Sequence, residues 1–213
     1  MRVFVLGTGR CGTSTFSKAC THITNYSCGH ESLSKCFGKE RFAYPNNHIE
    51  CDNRLSWHLG HLEELFGDDA YYVHLKRERS AVVHSLNARF FRPHSIIDAF
   101  CTGLRMNPPE KMTEAERWQA CQDYIDTVYK SIDFFLANKS RKMELYIEKA
   151  AESLPVFWEM IGAEGNLDES LRELNRRYNE TNWSFLEQVN PIYDLKLTAS
   201  RLWMRTASAI RAS

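Results

Sequence analysis

The sequence predicts an α/β protein: a mostly parallel central sheet flanked by helices, three layers in all. Three observations predict it. The apolar run "RVFVL" (2–6) ends in glycine and is followed by a segment of helical character. Further short apolar runs, "YYVHL" (71–75) and "MELYI" (143–147), alternate with helical patterns instead of following one another, which is the signature of βα units. A long amphipathic helix lies between the last two of these strands. The 213 residues suit one domain, 1–213, with a single sizeable core.

"RVFVL" reads as a buried strand because its apolar residues are continuous rather than alternating. "TSTFSKACTHI" opens with three hydroxyl residues, which suit a helix's first turn. "TNYSC" (24–28) is read as the second strand. Residues 29–50, rich in Gly, Ser, Lys and Asn, are read as irregular and exposed. "RLSWHLGHLEELFG" (54–67) has helical spacing and stops at a glycine. "SAVVHSLNARF" (80–90) is a helix after the 71–75 strand. Thr113 and Glu116 form a capping box. Trp118, Cys121, Ile125, Val128, Ile132 and Phe135 then recur at spacings of three and four, the apolar stripe of one long helix. Two more helices are expected over 153–162 and 167–179, and an amphipathic segment with a basic face over 194–212.

Composition narrows the function. Lys and Arg total 27, and so do Asp and Glu, giving a formal charge of zero. That balance gives no support for a nucleic-acid partner, while leaving room for a local basic pocket. The seven cysteines are odd in number and contain no C-x-x-C pair. They read as free thiols in a reducing compartment, so a cytoplasmic location is expected. No apolar run approaches the ~18 residues of a membrane span.

The segment "FVLGTGRCGTST" (4–15) fits three nucleotide-binding templates. All three need backbone N–H groups at a helix start to meet a phosphate, with glycines allowing the close approach. The dinucleotide template uses Gly7, Gly9 and Gly12 and wants an acid about 20 residues on; Glu31, 19 residues after Gly12, meets that spacing. It leaves Arg10 and the hydroxyls of Thr13, Ser14 and Thr15 without a purpose. The kinase-type template needs a lysine where Thr13 stands, and an aspartate after a strand for Mg²⁺; "YYVHLKRER" supplies basic residues instead.

The third template rests on two signatures. Arg10-Cys11-Gly12-Thr13-Ser14 follows the first strand, and Arg77 follows the 71–75 strand with Ser85 eight residues on. In this the chain resembles the phosphate-loop sulfotransferases that use 3′-phosphoadenosine 5′-phosphosulfate. The resemblance covers roughly residues 2–90, and more loosely "MELYIEKAAESLPVFWEMIG" (143–162). It implies a phosphate-loop-type fold and sulfuryl transfer to a hydroxyl or amine, with no metal. It implies that Arg10, Cys11, Gly12, Thr13, Ser14 and Thr15 hold the 5′ end, and that Arg77 and Ser85 hold the 3′-phosphate, Arg79 being a substitute for Arg77. "SCGHES" resembles the segment of tyrosylprotein and carbohydrate sulfotransferases that carries a glutamate base, which puts that role on Glu31. His30 is the competitor, and Arg10 is a candidate for catalysis as well as binding. A small-molecule, glycan or lipid acceptor is implied. The family's C-terminal basic nucleotide loop has no clear counterpart; "LNRRYNETNWS" (174–184), with Arg176 or Arg177, is the nearest stand-in. Lys18, Lys35 and Lys39 are candidates for contact with the leaving group. An atypical nucleotide kinase and a non-catalytic nucleotide-binding module remain as alternatives.

Three weaker readings complete the list. Cys11, at a helix start near Arg10, is expected to have a lowered pKa. His58 and His61 are three apart on a predicted helix and could share a metal with Glu50 or Asp52, although a helix surface is the plainer reading. Trp57 and His58 are expected on the acceptor side.

Overall fold

The computed structural model describes residues 1–92 and 94–176. The 194–212 segment, Arg177 and the end of the helix expected to reach 179 lie outside the described residues.

The described chain falls into two compact units, divided at Val82/Val83 and Tyr124/Ile125. The first unit contains a five-stranded sheet in the order β2-β3-β1-β4-β5, every pair parallel. The strands are β1 (Arg2–Leu6), β2 (Ser27–His30), β3 (His48–Cys51), β4 (Tyr71–Lys76) and β5 (Lys142–Tyr146). The helices are α1 (Thr13–Cys20), α2 (Leu59–Phe66), α3 (Arg79–Asn87), α4 (Ile96–Ala99), α5 (Glu114–Leu136), α6 (Ala150–Ile161) and α7 (Leu167–Leu174).

The period of two in each strand divides the first unit's core between two faces. Val3, Val5, Ile49, Cys51, Tyr71, Val73 and Leu75 bury against Phe16 and Cys20 of α1, against α6 through Leu154, Phe157 and Trp158, and against α7. Phe4 and Tyr72 point the other way. Phe4 packs on Phe66 of α2, with ring centroids 4.9 Å apart. Tyr72 meets Phe135 of α5 edge-on at 5.0 Å and donates to the Gly67 carbonyl. Fully burying each of these side chains contributes about 1.5–3 kcal/mol. The three-layer α/β class read from the sequence is what the first unit has.

Three sequence expectations need correction. Residues 29–50 are not all irregular and exposed: their last three residues belong to β3, buried between β2 and β1. Its charged Glu50 is 0% exposed, which is tolerable because Ser32 N–H and His48 Nε2 lie 2.8 and 3.0 Å from its carboxylate. The second strand covers 27–30, not 24–28. Thr24 and Tyr26 are drawn instead to the α6–α7 connection, through Thr24 N–H to the Glu164 carbonyl and Tyr26 O–H to the Ile161 carbonyl. Segment 54–67 is not one helix. Asp52 caps a 3₁₀ turn (Asn53–Trp57) by accepting from Arg54 N–H, and His58, with φ −124°, separates that turn from α2.

The second unit's described part, Val83–Tyr124, is built round the first half of α5. The capping box is present: Thr113 N–H and O–H donate to Glu116, whose own N–H donates to Thr113 Oγ1. Trp118 meets His84 edge-on at 4.8 Å, and Arg117 stacks over Phe91. Two short turns, α4 with the π turn that follows it and a 3₁₀ turn at Pro109–Lys111, were not expected from the sequence.

Candidate functional site

Because all five strands are parallel, their carboxyl ends share one edge. Beyond β1 comes the loop 7–12, beyond β2 Glu31, beyond β3 Asp52, Asn53 and Arg54, beyond β4 Arg77, and beyond β5 Ile147 and Glu148. The chain goes outward from β1 to one side and then returns to β4 on the other, so the order reverses beside β1. Open sheets of this kind bind ligands at such a point.

The loop is shaped by its neighbours. Gly12 has φ +104°, and a Cβ there would lie 2.8 Å from Ile147 Cγ1. A Cβ on Gly7 would lie 2.5 Å from the Leu75 carbonyl oxygen. Arg10 also adopts a left-handed conformation, φ 72°. After these turns α1 begins at Thr13 with no side-chain cap and no acid in its first turn. A helix start of this kind, with its partial positive charge, suits an anion.

Two side chains close on the loop, from the ends of β4 and β2. Arg77 Nη1 donates to the Arg10 carbonyl at 3.2 Å. Its Nε lies 3.8 Å from Glu148 Oε1, and the guanidinium remains about one-third exposed. On the other side His30 Nε2 lies 3.1 Å from Ser14 Oγ and 3.2 Å from Thr13 Oγ1. Glu31, with φ 53°, is held by β3's end: Asn53 Nδ2 donates to Oε1 at 2.7 Å, and Arg54 Nη1 lies 2.6 Å from Oε2. Arg10, the hydroxyl residues, His30, Glu31 and Arg77 therefore share one edge of the first unit. Asn53 and Arg54 join them. Sequence reasoning missed both because the strand that carries them was missed.

Other readings fare differently. Cys11 has no exposed surface, and burial pushes its thiol up to about 12, outweighing the N–H donor of Thr13 and the Arg77 charge. The lowered pKa expected at the helix start is overturned: Cys11 fills space beneath Gly7. Arg79 pairs with Asp126 at 2.6 Å, whereas Arg77 reaches the loop. Ser85 is buried on the part of α3 that belongs to the second unit. Lys18 sits in α1's last turn, at the far end from the loop. Lys35 and Lys39 are exposed. Arg176 pairs with Glu173 at 2.8 Å.

His58 and His61 do not assemble a metal site with Asp52 or Glu50. Their rings pack on Phe42, while Asp52 accepts from buried Arg41 at 2.6 Å and Glu50 is taken by Ser32 and His48. Asp52 also follows the strand beside β1, where a Mg²⁺-nucleotide site would want its acid, but Arg41 already neutralises it. Among the described residues one cluster, His74, Asp133 and Glu144, brings ligand-type atoms within 4.8 Å of one another. Lys76 supplies a cation there, its Nζ bonded to Glu144 and 3.7 Å from Asp133.

Among the described residues no helix is long and apolar enough to cross a membrane. No protein-family model and no curated protein matches the chain.

Proposed function

We propose that the chain is a sulfotransferase that moves a sulfuryl group from 3′-phosphoadenosine 5′-phosphosulfate to a hydroxyl or amine acceptor. One observation carries the reading. An uncapped helix start with three hydroxyl residues and no lysine is flanked by a strand-end arginine, Arg77, on one side and by His30 and Glu31 on the other.

In this reading the backbone and hydroxyls of 10–15 hold the phosphosulfate, and Arg77 meets the 3′-phosphate. The acceptor oxygen attacks sulfur in line as its bond to the 5′-phosphate breaks, releasing 3′,5′-adenosine bisphosphate. The acceptor's proton passes to Glu31. Each Glu31 oxygen has one partner and keeps a lone pair for the incoming hydroxyl. His30, on Thr13 and Ser14, is set to donate to the moving sulfuryl or to the leaving phosphate. Cations and donors aimed at such developing charge are usually the largest catalytic contribution. The acceptor is a small molecule, glycan or lipid. The free thiols of the described chain suit a reducing, cytoplasmic setting.

Calorimetry with 3′,5′-adenosine bisphosphate, against 5′-AMP, ATP–Mg²⁺ and NAD, tests the cofactor. Binding that requires the 3′-phosphate is expected. Binding of ATP–Mg²⁺ or NAD with no such requirement would replace the reading with a kinase or a dehydrogenase. Bisphosphate binding without turnover on any acceptor would indicate a non-catalytic module.

A further inference from the structure

Under β2, on the sheet face covered by α1, three sulfurs meet. Cys20 ends α1, Cys28 lies on β2 and Cys51 ends β3. Cys20 and Cys51 are fully buried in the apolar core, and Cys28 packs against it while keeping some exposure. The register turns Cys28 and Cys51 to the face that α1 covers, and Cys20 lies on α1 three residues after Ser17, which Cys28 touches. The Cys28 sulfur lies 3.5 Å from Ser17 Oγ and 3.2 Å from the Ser17 carbonyl, to which it donates when protonated.

The strand register decides which neighbour can bond to it. Cys28 stands opposite Ile49, and Cys51 opposite His30. Cys28 and Cys51 are thus offset by two residues on adjacent strands. A strand spacing of ~4.8 Å and a rise of ~3.3 Å per residue separate their Cα atoms by roughly 8 Å. Bridged cysteines rarely exceed about 7 Å. Cys20 approaches from the helix and is free of that restriction.

We infer that Cys28 and Cys20 form a peroxide-oxidisable dithiol, with Cys28 the attacking sulfur and Cys20 the resolving one. The Cys28 sulfur attacks one oxygen of hydrogen peroxide, the O–O bond breaks, and the departing hydroxide leaves as water with the thiol's proton. Cys20 then attacks the sulfenic sulfur; the S–S bond forms, the S–O bond breaks, and the second hydroxide takes the Cys20 proton. Two thiols and one peroxide give one disulfide and two waters. The direction of attack follows from exposure, since peroxide reaches Cys28 and not Cys20. It agrees with the donors around Cys28: hydrogen bonds from Cys20 and Cys51 hold its thiol well below the usual range, and burial raises the other two. The bridge would tie the end of α1 to the strand whose last residue, His30, touches Thr13 and Ser14. It does not depend on what the loop binds.

The test uses the full chain, reduced, freed of reductant, treated with hydrogen peroxide and blocked with N-ethylmaleimide. Trypsin leaves Cys20 and Cys28 together on peptide 19–35 and Cys51 on peptide 42–54. Peptide 19–35 is expected to be lighter by two hydrogens, to carry no maleimide, and to regain two maleimide sites after dithiothreitol. In Cys20→Ala, Cys28 should instead gain oxygen, as a thiolate without a resolving partner does. Labelling of both thiols after peroxide, a cross-link between the two peptides, or an unoxidised Cys28 in Cys20→Ala would each overturn the assignment.

Discussion

The two flanks of the sheet use acid–base pairs in opposite ways. On the β2–β3 flank, apart from Arg54 with Glu31 at the loop, the pairs lie inside: Arg41 with Asp52, at 7% and 0% side-chain exposure, and Glu50 among Ser32 and His48. On the β4–β5 flank the partners reach toward solvent. Asp133 and Glu144 are about half exposed, Arg77 about one-third, and Arg79 and Asp126 nearly half. Buried pairs are strongly destabilising to break and hold their groups in one geometry, whereas exposed pairs contribute little to stability. The loop lies between the flanks, and its ligand-ready groups resemble the exposed kind. Glu31 and Arg77 keep part of their surface open while their partners fix their direction.

Substitutions sharpen that comparison. Asp52→Ala should cost the most, about 3–5 kcal/mol of unfolding free energy, because it strands Arg41 without a counter-charge. A denaturant midpoint that barely moved would remove the distinction between the flanks. His74 is the inward-facing group of the outer flank: burial lowers its pKa from 6.5 to about 4. The folded state therefore prefers the neutral ring. This preference is fully present above the unfolded pKa and is lost as pH falls from about 6.5 toward 4. At ~1.4 kcal/mol per unit the loss is at most about 3.5 kcal/mol. His74→Phe should flatten that part of the stability–pH curve; an unchanged slope would assign it elsewhere.

Arg77→Ala should weaken 3′,5′-adenosine bisphosphate by roughly 1.5–3 kcal/mol, the scale of a hydrogen bond to a charged group, and leave the unfolding midpoint in place. Unaltered binding would take Arg77 out of the site. Glu31→Gln should keep that affinity and lower turnover; unchanged turnover would pass the base to His30. Arg79→Ala should do least, within about 1 kcal/mol of stability for its exposed pair with Asp126. A larger effect would mean that exposure misjudges this flank.

The same contrast explains what could be read in advance. β1, β4 and β5 advertise themselves as short apolar runs, α5 by apolar residues at spacings of three and four, and the capping box because its partners lie three residues apart. β3 does not. In "HIEC" two residues are polar, and the groups that make Glu50 tolerable there lie partly at Ser32, far back in the chain. Losing β3 meant losing Asn53 and Arg54, so Glu31 was found without its supports. Cys11 was misjudged because position at a helix start is visible in sequence, while the completeness of its burial is not. Arg77 was identified correctly as a strand-end arginine, yet its bond to the Arg10 carbonyl follows only from the β1–β4 pairing.

Gly12 meeting Ile147 has a consequence in time. The loop leaves the ribosome well over a hundred residues before the side chain it packs against. Residues 22–24 likewise wait for 164–166, where a Cβ on Gly165 would strike the His22 carbonyl. A chain arrested after β4 would carry the loop and Arg77 without the wall that shapes them. A ligand at this edge would then meet a shaped loop only once synthesis has passed β5, so shorter chains could not compete with longer ones for it.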